Sequence, residues 1–214
     1  MKILLMLSVV LGAGYYFVFN ISTSSFDDAG NPITVVFTQK NCGSWCDNGV
    51  KDLERRNIPF TELPIDNEKD NSDRYKAMGA KGLPLFVMGN QSLAGYGRHQ
   101  LLNIVAQTFG DKYLTRREKK YYRNHFYNDA SPLVYIYGAS WCPYCKKLRK
   151  DLDARDIDYF ELDVEKATDP RLIANTMGVS GYPVVFVGYV RVLNGPDLIG
   201  NVLDAVDIAG DRIL

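Results

Sequence analysis

The sequence Trp141-Cys142-Pro143-Tyr144-Cys145 places two thiols three positions apart, directly after the apolar run of residues 133–137 (Leu-Val-Tyr-Ile-Tyr). This pattern predicts a strand, a loop and the start of a helix, with the thiols on the loop and the first helical turn. Unpaired N–H groups and the positive end of the helix dipole stabilise a thiolate at such a position. A neighbouring thiol can then close a disulfide, so the stretch is typical of a thiol–disulfide exchange site.

A second motif, Gly181-Tyr182-Pro183-Val184-Val185-Phe186, begins another apolar run downstream. Together the two motifs resemble the glutaredoxins, within the thioredoxin-fold superfamily, over residues 131–210. The resemblance implies that Cys142 attacks a disulfide and that Cys145 resolves the mixed disulfide. It also implies a cis peptide bond before Pro183.

The same resemblance implies a substrate groove and a glutathione site. The expected groove and glutathione residues are Tyr144, Tyr182, Pro183, Asn194, Gly195 and Asp197. The last three would hold the γ-glutamyl end of glutathione through backbone N–H groups at a helix N-terminus, although a simple helix cap by Asp197 is an alternative. Glutathione is therefore the expected co-substrate, and no tightly bound cofactor or metal is expected. Thioredoxins bury a carboxylate on the strand before their thiols, and residues 134–137 offer none, which favours the glutaredoxins.

The chain contains a second copy of this pattern. Residues 35–93 align with residues 134–192 at a constant offset of 99 positions without gaps, and the distinctive residues of both copies coincide. Among them, Cys46 meets a cysteine and Pro84 meets a proline, so Leu83 and Pro84 are expected to form a second cis-proline segment and groove. Since one offset persists over such a length, a tandem duplication is the economical interpretation.

The first copy departs from the pattern at its thiols. It reads Cys42-Gly43-Ser44-Trp45-Cys46, and at this offset Cys142 falls opposite Gly43. Two interpretations stay open. In the first, Cys42 and Cys46 still form a redox pair, since a separation of four residues allows Cα atoms about 6 Å apart, within the range of disulfides. Alternatively, Cys42 lies too far from the helix to be activated, and the domain binds a partner instead of catalysing.

The pattern predicts an α/β fold with two tandem thioredoxin-like domains of the glutaredoxin type. Each copy is expected to run strand, helix, strand, helix, strand, strand, helix, which gives a mixed four-stranded sheet flanked by helices. The second copy predicts strands at 133–137, 159–164, 184–187 and 190–193, and helices at 144–155, 170–177 and 198–209. The predicted segments are a signal or anchor (1–20), a flexible tether (21–32), domain 1 (33–109), a linker (110–130) and domain 2 (131–214).

The N-terminal segment bears on location. Residues 3–19 are apolar except for Ser8, a length on the border between a signal-peptide core and a spanning helix. We expect an uncleaved membrane anchor, with a cleaved signal or a buried core segment as alternatives. Lys2 before the run and two aspartates after it favour domains on the non-cytoplasmic side, the periplasm in a bacterium, with the opposite orientation open.

Charge gives little support for a polyanionic partner, since 25 basic residues balance 25 acidic ones. The linker nevertheless mixes six cations with five aromatic residues. One interpretation is a patch that binds nucleic acid or anionic lipid. The other, which we favour, is a helical linker whose aromatic rings pack on a neighbouring domain. We therefore expect no nucleic-acid partner.

The predicted function is a membrane-tethered thiol–disulfide oxidoreductase that reduces protein disulfides or glutathione mixed disulfides. The alternatives are a scaffold that docks a partner and a two-domain electron relay.

Overall fold

The computed structural model describes residues 24–210. The predicted membrane segment at residues 3–19 lies outside this range and stays a prediction. Within residues 24–210, no helix is both long enough and apolar enough to cross a bilayer.

The first domain is a mixed four-stranded sheet with strand order β2-β1-β3-β4. Its strands are β1 (Thr34–Thr38), β2 (Phe60–Pro64), β3 (Leu85–Met88) and β4 (Gln91–Ala94). Its helices are α1 (Ser44–Arg55), α2 (Lys69–Ala77) and α3 (Arg98–Phe109). Strand β2 runs parallel to β1, whereas β3 pairs antiparallel with both β1 and β4.

A short helix, α4 (Arg116–Tyr122), and a 3-10 turn (Arg123–His125) lead into the second domain. This domain repeats the arrangement, with strand order β6-β5-β7-β8. Its strands are β5 (Val134–Gly138), β6 (Tyr159–Asp163), β7 (Val184–Val187) and β8 (Val190–Arg191). Its helices are α5 (Pro143–Asp153), α6 (Pro170–Met177) and α7 (Leu198–Gly210). The predicted fold class and element order are confirmed.

The last strand of the second sheet is shorter than the predicted 190–193. Strand β8 ends at Arg191, and one further main-chain bond, from Val192 N to Val185 O at 2.9 Å, ends the pairing. The next contact comes from a side chain, since Asn194 Nδ2 donates to Pro183 O at 3.0 Å. The side-chain amide of Asn194 thus takes the place of a main-chain hydrogen bond between the two strands.

The pairing register of the central strands corrects the ungapped repeat. Thr34 pairs with Met88 in the first sheet, and Val134 pairs with Val187 in the second. The central strands therefore lie 100 positions apart, whereas their partners lie 99 apart. A shift of one residue would turn every side chain of a strand to the other face. The offset of 99 is wrong for the first strand, and one residue is inserted between β1 and β2.

The residues before each central strand form similar turns. Phe26 bridges Pro32 in the first domain, and Phe126 bridges Pro132 in the second. Ser25 is buried, and its hydroxyl donates to a main-chain carbonyl at 2.7 Å. The predicted tether is thus fastened to the first sheet at Ser25, whose N–H donates to Gly89 O at 2.8 Å and whose hydroxyl reaches Val87 O.

The linker is packed between the domains. Tyr122 is buried and contacts the rings of Phe186 and Tyr189, while Glu118 binds the buried Arg56 of the first domain at 2.9 Å. One apolar core continues from α1 and α3 of the first domain, through Tyr122, to α6 of the second. This packing agrees with the interpretation of a linker whose aromatic rings lie on neighbouring domains.

Candidate active site

The thiols of the second domain lie where β5 ends and α5 begins. Cys142 N donates to Ala139 O at 3.0 Å, which closes a tight turn after the strand. Cys142 is the N-cap of α5, with Pro143 at the first helical position, where a missing N–H costs no hydrogen bond. Its sulfur accepts a hydrogen bond from Cys145 N at 3.2 Å. The helix terminus thus directs an N–H group at the sulfur atom of Cys142.

Both thiols are free, and both are buried. The Cys142 thiol donates to the carbonyl of Tyr182 at 3.6 Å. The peptide bonds before Pro183 and Pro84 are both cis, as predicted. The structure therefore brings Cys142 together with the Tyr182–Pro183 segment.

The loop before α7 is only partly joined to this cluster. Asn194 belongs to it, since its amide holds the carbonyl of Pro183. Asp197 caps α7, and its Oδ1 accepts Gly200 N at 3.0 Å, which matches the simpler of the two expectations. Gly195 lies between them on the exposed loop. The first turn of α7 thus already holds one carboxylate, that of Asp197.

Exposed aromatic rings surround the buried sulfur atoms. Trp141 is 61% exposed and packs edge-to-face on Tyr182, with ring centroids 6.2 Å apart. Its indole N–H donates to Glu165 Oε2 at 2.8 Å, which fixes the orientation of the ring. Tyr144 is 71% exposed on the first turn of α5. These rings form an apolar surface around Cys142.

The surroundings of Cys145 disfavour its thiolate form. Burial raises the pKa of the Cys145 thiol to about 12, and the hydrogen bond with Cys142 and the Glu161 carboxylate contribute in the same direction. Cys145 is therefore a protonated thiol near neutral pH, and it needs a proton acceptor before it can attack a disulfide.

Two charged residues near Cys145 were missed by the sequence reasoning. Glu161, on β6, extends toward α5, where Arg149 Nη1 donates to its Oε2 at 2.5 Å. A Cβ at Gly138 would overlap Glu161 Oε1 and would lie 3.3 Å from Cys145 Sγ. Strand β5 itself carries no acid, as expected, but its neighbour β6 supplies one. The available signal was the repeat, because Glu62 occupies the matching position in the first copy.

The first domain differs at its thiols by one inserted residue. Cys42 N donates to Gln39 O at 3.0 Å, which is the turn that Cys142 makes, so Cys42 is the counterpart of Cys142. The inserted residue is Gly43, the N-cap of α1, with a positive φ of 64° that favours glycine. Cys42 thus lies one position outside the helix end.

Cys42 and Cys46 form a disulfide, with Cα atoms 5.6 Å apart. The predicted spacing therefore does permit the pair to close. The cis segment of this domain ends in a main-chain bond, since Gly95 N donates to Pro84 O at 2.8 Å, and Leu83 packs against the core near α2. No side-chain amide corresponding to Asn194 is present there.

A family model matches the second domain. Residues 134–192 match the glutaredoxin family model. Among curated proteins the chain has no significant match. Among solved structures, the chain is similar to the holo form of glutaredoxin C1 from Populus tremula x tremuloides, with 19% identity and a TM-score of 0.34 over 44% of this chain and 99% of that chain.

Proposed function

Because residues 134–192 form a glutaredoxin-family domain, we propose that the protein is a thiol–disulfide oxidoreductase that uses Cys142 and Cys145. Its substrates are protein disulfides or glutathione mixed disulfides. The observation that carries the proposal is the position of Cys142 at the N-cap of α5, with the N–H of Cys145 directed at its sulfur atom. A hydrogen bond from a backbone N–H and the helix dipole both stabilise a thiolate there.

The reaction begins when the Cys142 thiolate attacks one sulfur of the substrate disulfide. A mixed disulfide with Cys142 forms, the substrate disulfide breaks, and the departing sulfur takes the electron pair and a proton. Cys145 then attacks Cys142, releases the second substrate thiol and leaves a Cys142–Cys145 disulfide. The substrate is reduced by two electrons, and glutathione or another thiol must restore the oxidised pair.

The surroundings of Cys142 support a peptide-like substrate. The exposed rings of Trp141 and Tyr144 offer apolar contact area of the kind that dominates protein interfaces. Tyr182 and Pro183 lie beside the thiol, where their backbone groups can pair with a peptide or glutathione as an added strand. For glutathione, we propose that the backbone N–H groups of Asn194, Gly195 and Asp197 hold the γ-glutamyl carboxylate.

The test measures reduction of a glutathione mixed disulfide and of a protein disulfide by the purified full chain. We expect Cys142→Ser to abolish both activities, since the proposed attacking thiol is removed. Cys145→Ser should retain the first activity, which needs one thiol, and lose the second, which needs both. Undiminished disulfide exchange in Cys142→Ser would refute the proposal.

An electron relay is a second candidate for the first domain. It is favoured by the closed Cys42–Cys46 pair, because a pair that forms a disulfide can exchange electrons with the thiols of the second domain. The test compares the reduction potential of each pair in full chains whose other pair is changed to serine. Equal potentials would remove the driving force for a relay.

A further inference from the structure

The Glu161 side chain is 15% exposed and lies near Cys145, with only one of its carboxylate oxygen atoms bonded. Oε2 accepts the bond from Arg149 at 2.5 Å. Oε1 has no hydrogen-bond partner among the described residues. A buried polar atom without a partner is costly, and it requires an explanation.

The position of Glu161 follows from the sheet and the helix together. Glu161 pairs with Ile136, whose side chain packs under α5, so both side chains point to the face that α5 covers. Cys145 and Arg149 are one turn apart on that helix, and neighbours at this spacing share a face. Oε1 and the Cys145 sulfur therefore both lie over Gly138, where a Cβ would overlap Oε1 and would lie 3.3 Å from the sulfur.

The first domain shows the same carboxylate in a satisfied state. Thr38 is the counterpart of Gly138 in the strand register, and its hydroxyl donates to Glu62 Oε1 at 2.6 Å. Glu62 is the counterpart of Glu161. The copy that has a threonine here has its thiols joined as a disulfide, and the copy that has a glycine leaves the oxygen open toward a free thiol.

We propose that Glu161 is the proton acceptor for Cys145 in the second half of the reaction, which deepens the proposed function and rests on it. In the mixed disulfide between Cys142 and a substrate sulfur, the Cys145 thiol passes its proton to Glu161 Oε1. The Cys145 thiolate attacks Cys142 Sγ, and the Cys142–Cys145 bond forms while the bond to the substrate sulfur breaks. The departing sulfur takes the electron pair and a proton from water, and Glu161 returns its proton to solvent.

The charged and titratable groups around the Cys145 thiol come from every element packed on it. They are Arg149 on α5, Glu161 on β6, Cys142 at the N-cap of α5, and Tyr182 before β7. Arg149 holds Oε2, so it positions the carboxylate and leaves Oε1 as the oxygen that faces the thiol.

The test separates the two steps. The reduced full chain is mixed with a disulfide-bonded peptide and quenched with acid at increasing times. Mass spectrometry then measures the Cys142–peptide mixed disulfide and the Cys142–Cys145 disulfide. In Glu161→Gln we expect mixed-disulfide formation at the wild-type rate and resolution slower by at least about tenfold, because a positioned proton acceptor contributes about 10²–10⁴-fold. The gap between variant and wild type should narrow as the pH rises, because hydroxide then takes the proton.

The chain provides its own matched control. Glu62→Gln removes the equivalent carboxylate of the first domain and should leave both steps unchanged. Gly138→Thr introduces the residue of the first domain, and because its Cβ would overlap Oε1, the end of the Glu161 side chain must move and resolution should slow. This variant also keeps the test decisive if Glu161→Gln does not fold.

Two results would overturn the assignment of Glu161. One is resolution at the wild-type rate in Glu161→Gln, and the other is equal slowing of both steps, which indicates a structural role. If the wild type forms no mixed disulfide on Cys142, the proposed function itself fails, and that outcome is distinct from both.

Discussion

His125 shows how completely a single residue can be changed by its surroundings. It is fully buried, with Nδ1 donating to Gly188 O at 3.1 Å and Nε2 accepting from the Tyr137 hydroxyl at 2.9 Å. This pattern requires the neutral ring, which also stacks on Phe186. Burial lowers the pKa of His125 to about 3. His125 is therefore a structural residue that ties the linker to the second sheet.

The first prediction concerns pH. In the unfolded chain His125 takes up a proton near its ordinary pKa of 6.5, whereas in the folded protein it does so only near 3. The unfolded state thus binds more protons between these two pH values. The contribution of His125 to the unfolding free energy therefore falls by about 1.4 kcal/mol for each pH unit below 6.5. Urea unfolding between pH 7 and 4 should show this loss in the wild type relative to His125→Gln. Parallel curves for the two proteins would contradict it.

At the scale of elements, α4 is held by a buried ion pair. Thr115 and Glu118 form a capping box at its start, with Thr115 N donating to Glu118 Oε2 at 2.8 Å. The same carboxylate binds Arg56. Burial raises the pKa of Glu118, but the hydrogen bonds from Arg56 and Thr115 outweigh it and hold this pKa below its ordinary value. The stabilisation is therefore present at neutral pH and is lost as the pH falls through the acid range.

The second prediction tests this ion pair. Glu118→Ala leaves the buried Arg56 with only an ion pair to Asp52 Oδ1 at 3.5 Å and a hydrogen bond to Tyr113 O at 3.3 Å, so we expect the unfolding free energy to fall by about 3 kcal/mol. Lys119→Ala on the same helix removes a partly exposed pair with Asp111, and it should cost less than about 0.5 kcal/mol. Denaturant unfolding of both variants gives the comparison. Similar small losses would show that the pair does not anchor the helix.

The third prediction uses two equivalent helix ends. Gly79 follows α2 with φ at 63°, and Gly178 ends α6 with φ at 70°. A Cβ at Gly79 would meet nothing within 4 Å, whereas one at Gly178 would meet the His99 side chain of the first domain at 2.6 Å. Alanine at either site pays the left-handed backbone cost of roughly 1–2 kcal/mol, and at Gly178 overpacking adds about 1–3 kcal/mol. Thermal unfolding should rank Gly178→Ala below Gly79→Ala, and equal losses would contradict it.

At the scale of the whole molecule, the two domains form one structural unit. Their apolar cores are continuous through Tyr122, and His99 Nε2 lies 2.9 Å from Asn175 O across the junction. A Cβ at Gly110 would lie 3.6 Å from the ring of Tyr189 at the same junction. Separating the domains would expose this shared core to water, which is unfavourable in proportion to the apolar area.

The fourth prediction follows from that shared core. The full chain should unfold in one cooperative transition, since separating the domains breaks the apolar cluster that they share. Differential scanning calorimetry tests this directly, with equal calorimetric and van't Hoff enthalpies expected. Two resolved transitions would show that the domains are independent.

The sequence by itself determined the local features of this protein. Alternating and helical apolar patterns predicted the element order, and the resemblance carried by the two motifs predicted the thiol pair at the start of α5 and the cis prolines. These features depend on neighbouring residues, so a local pattern contains them. The side-chain cap of α7 by Asp197 was predictable for the same reason.

Only the tertiary structure decided which distant residues meet. Glu161 and Cys145 come together because β6 pairs with β5 beneath α5, and Arg56 meets Glu118 across 62 residues. The ungapped alignment missed the insertion at Gly43, because matching residues alone cannot fix the strand register, whereas main-chain hydrogen bonds can. Contacts of this kind depend on how strands and helices stack, and no local pattern in the sequence specifies them.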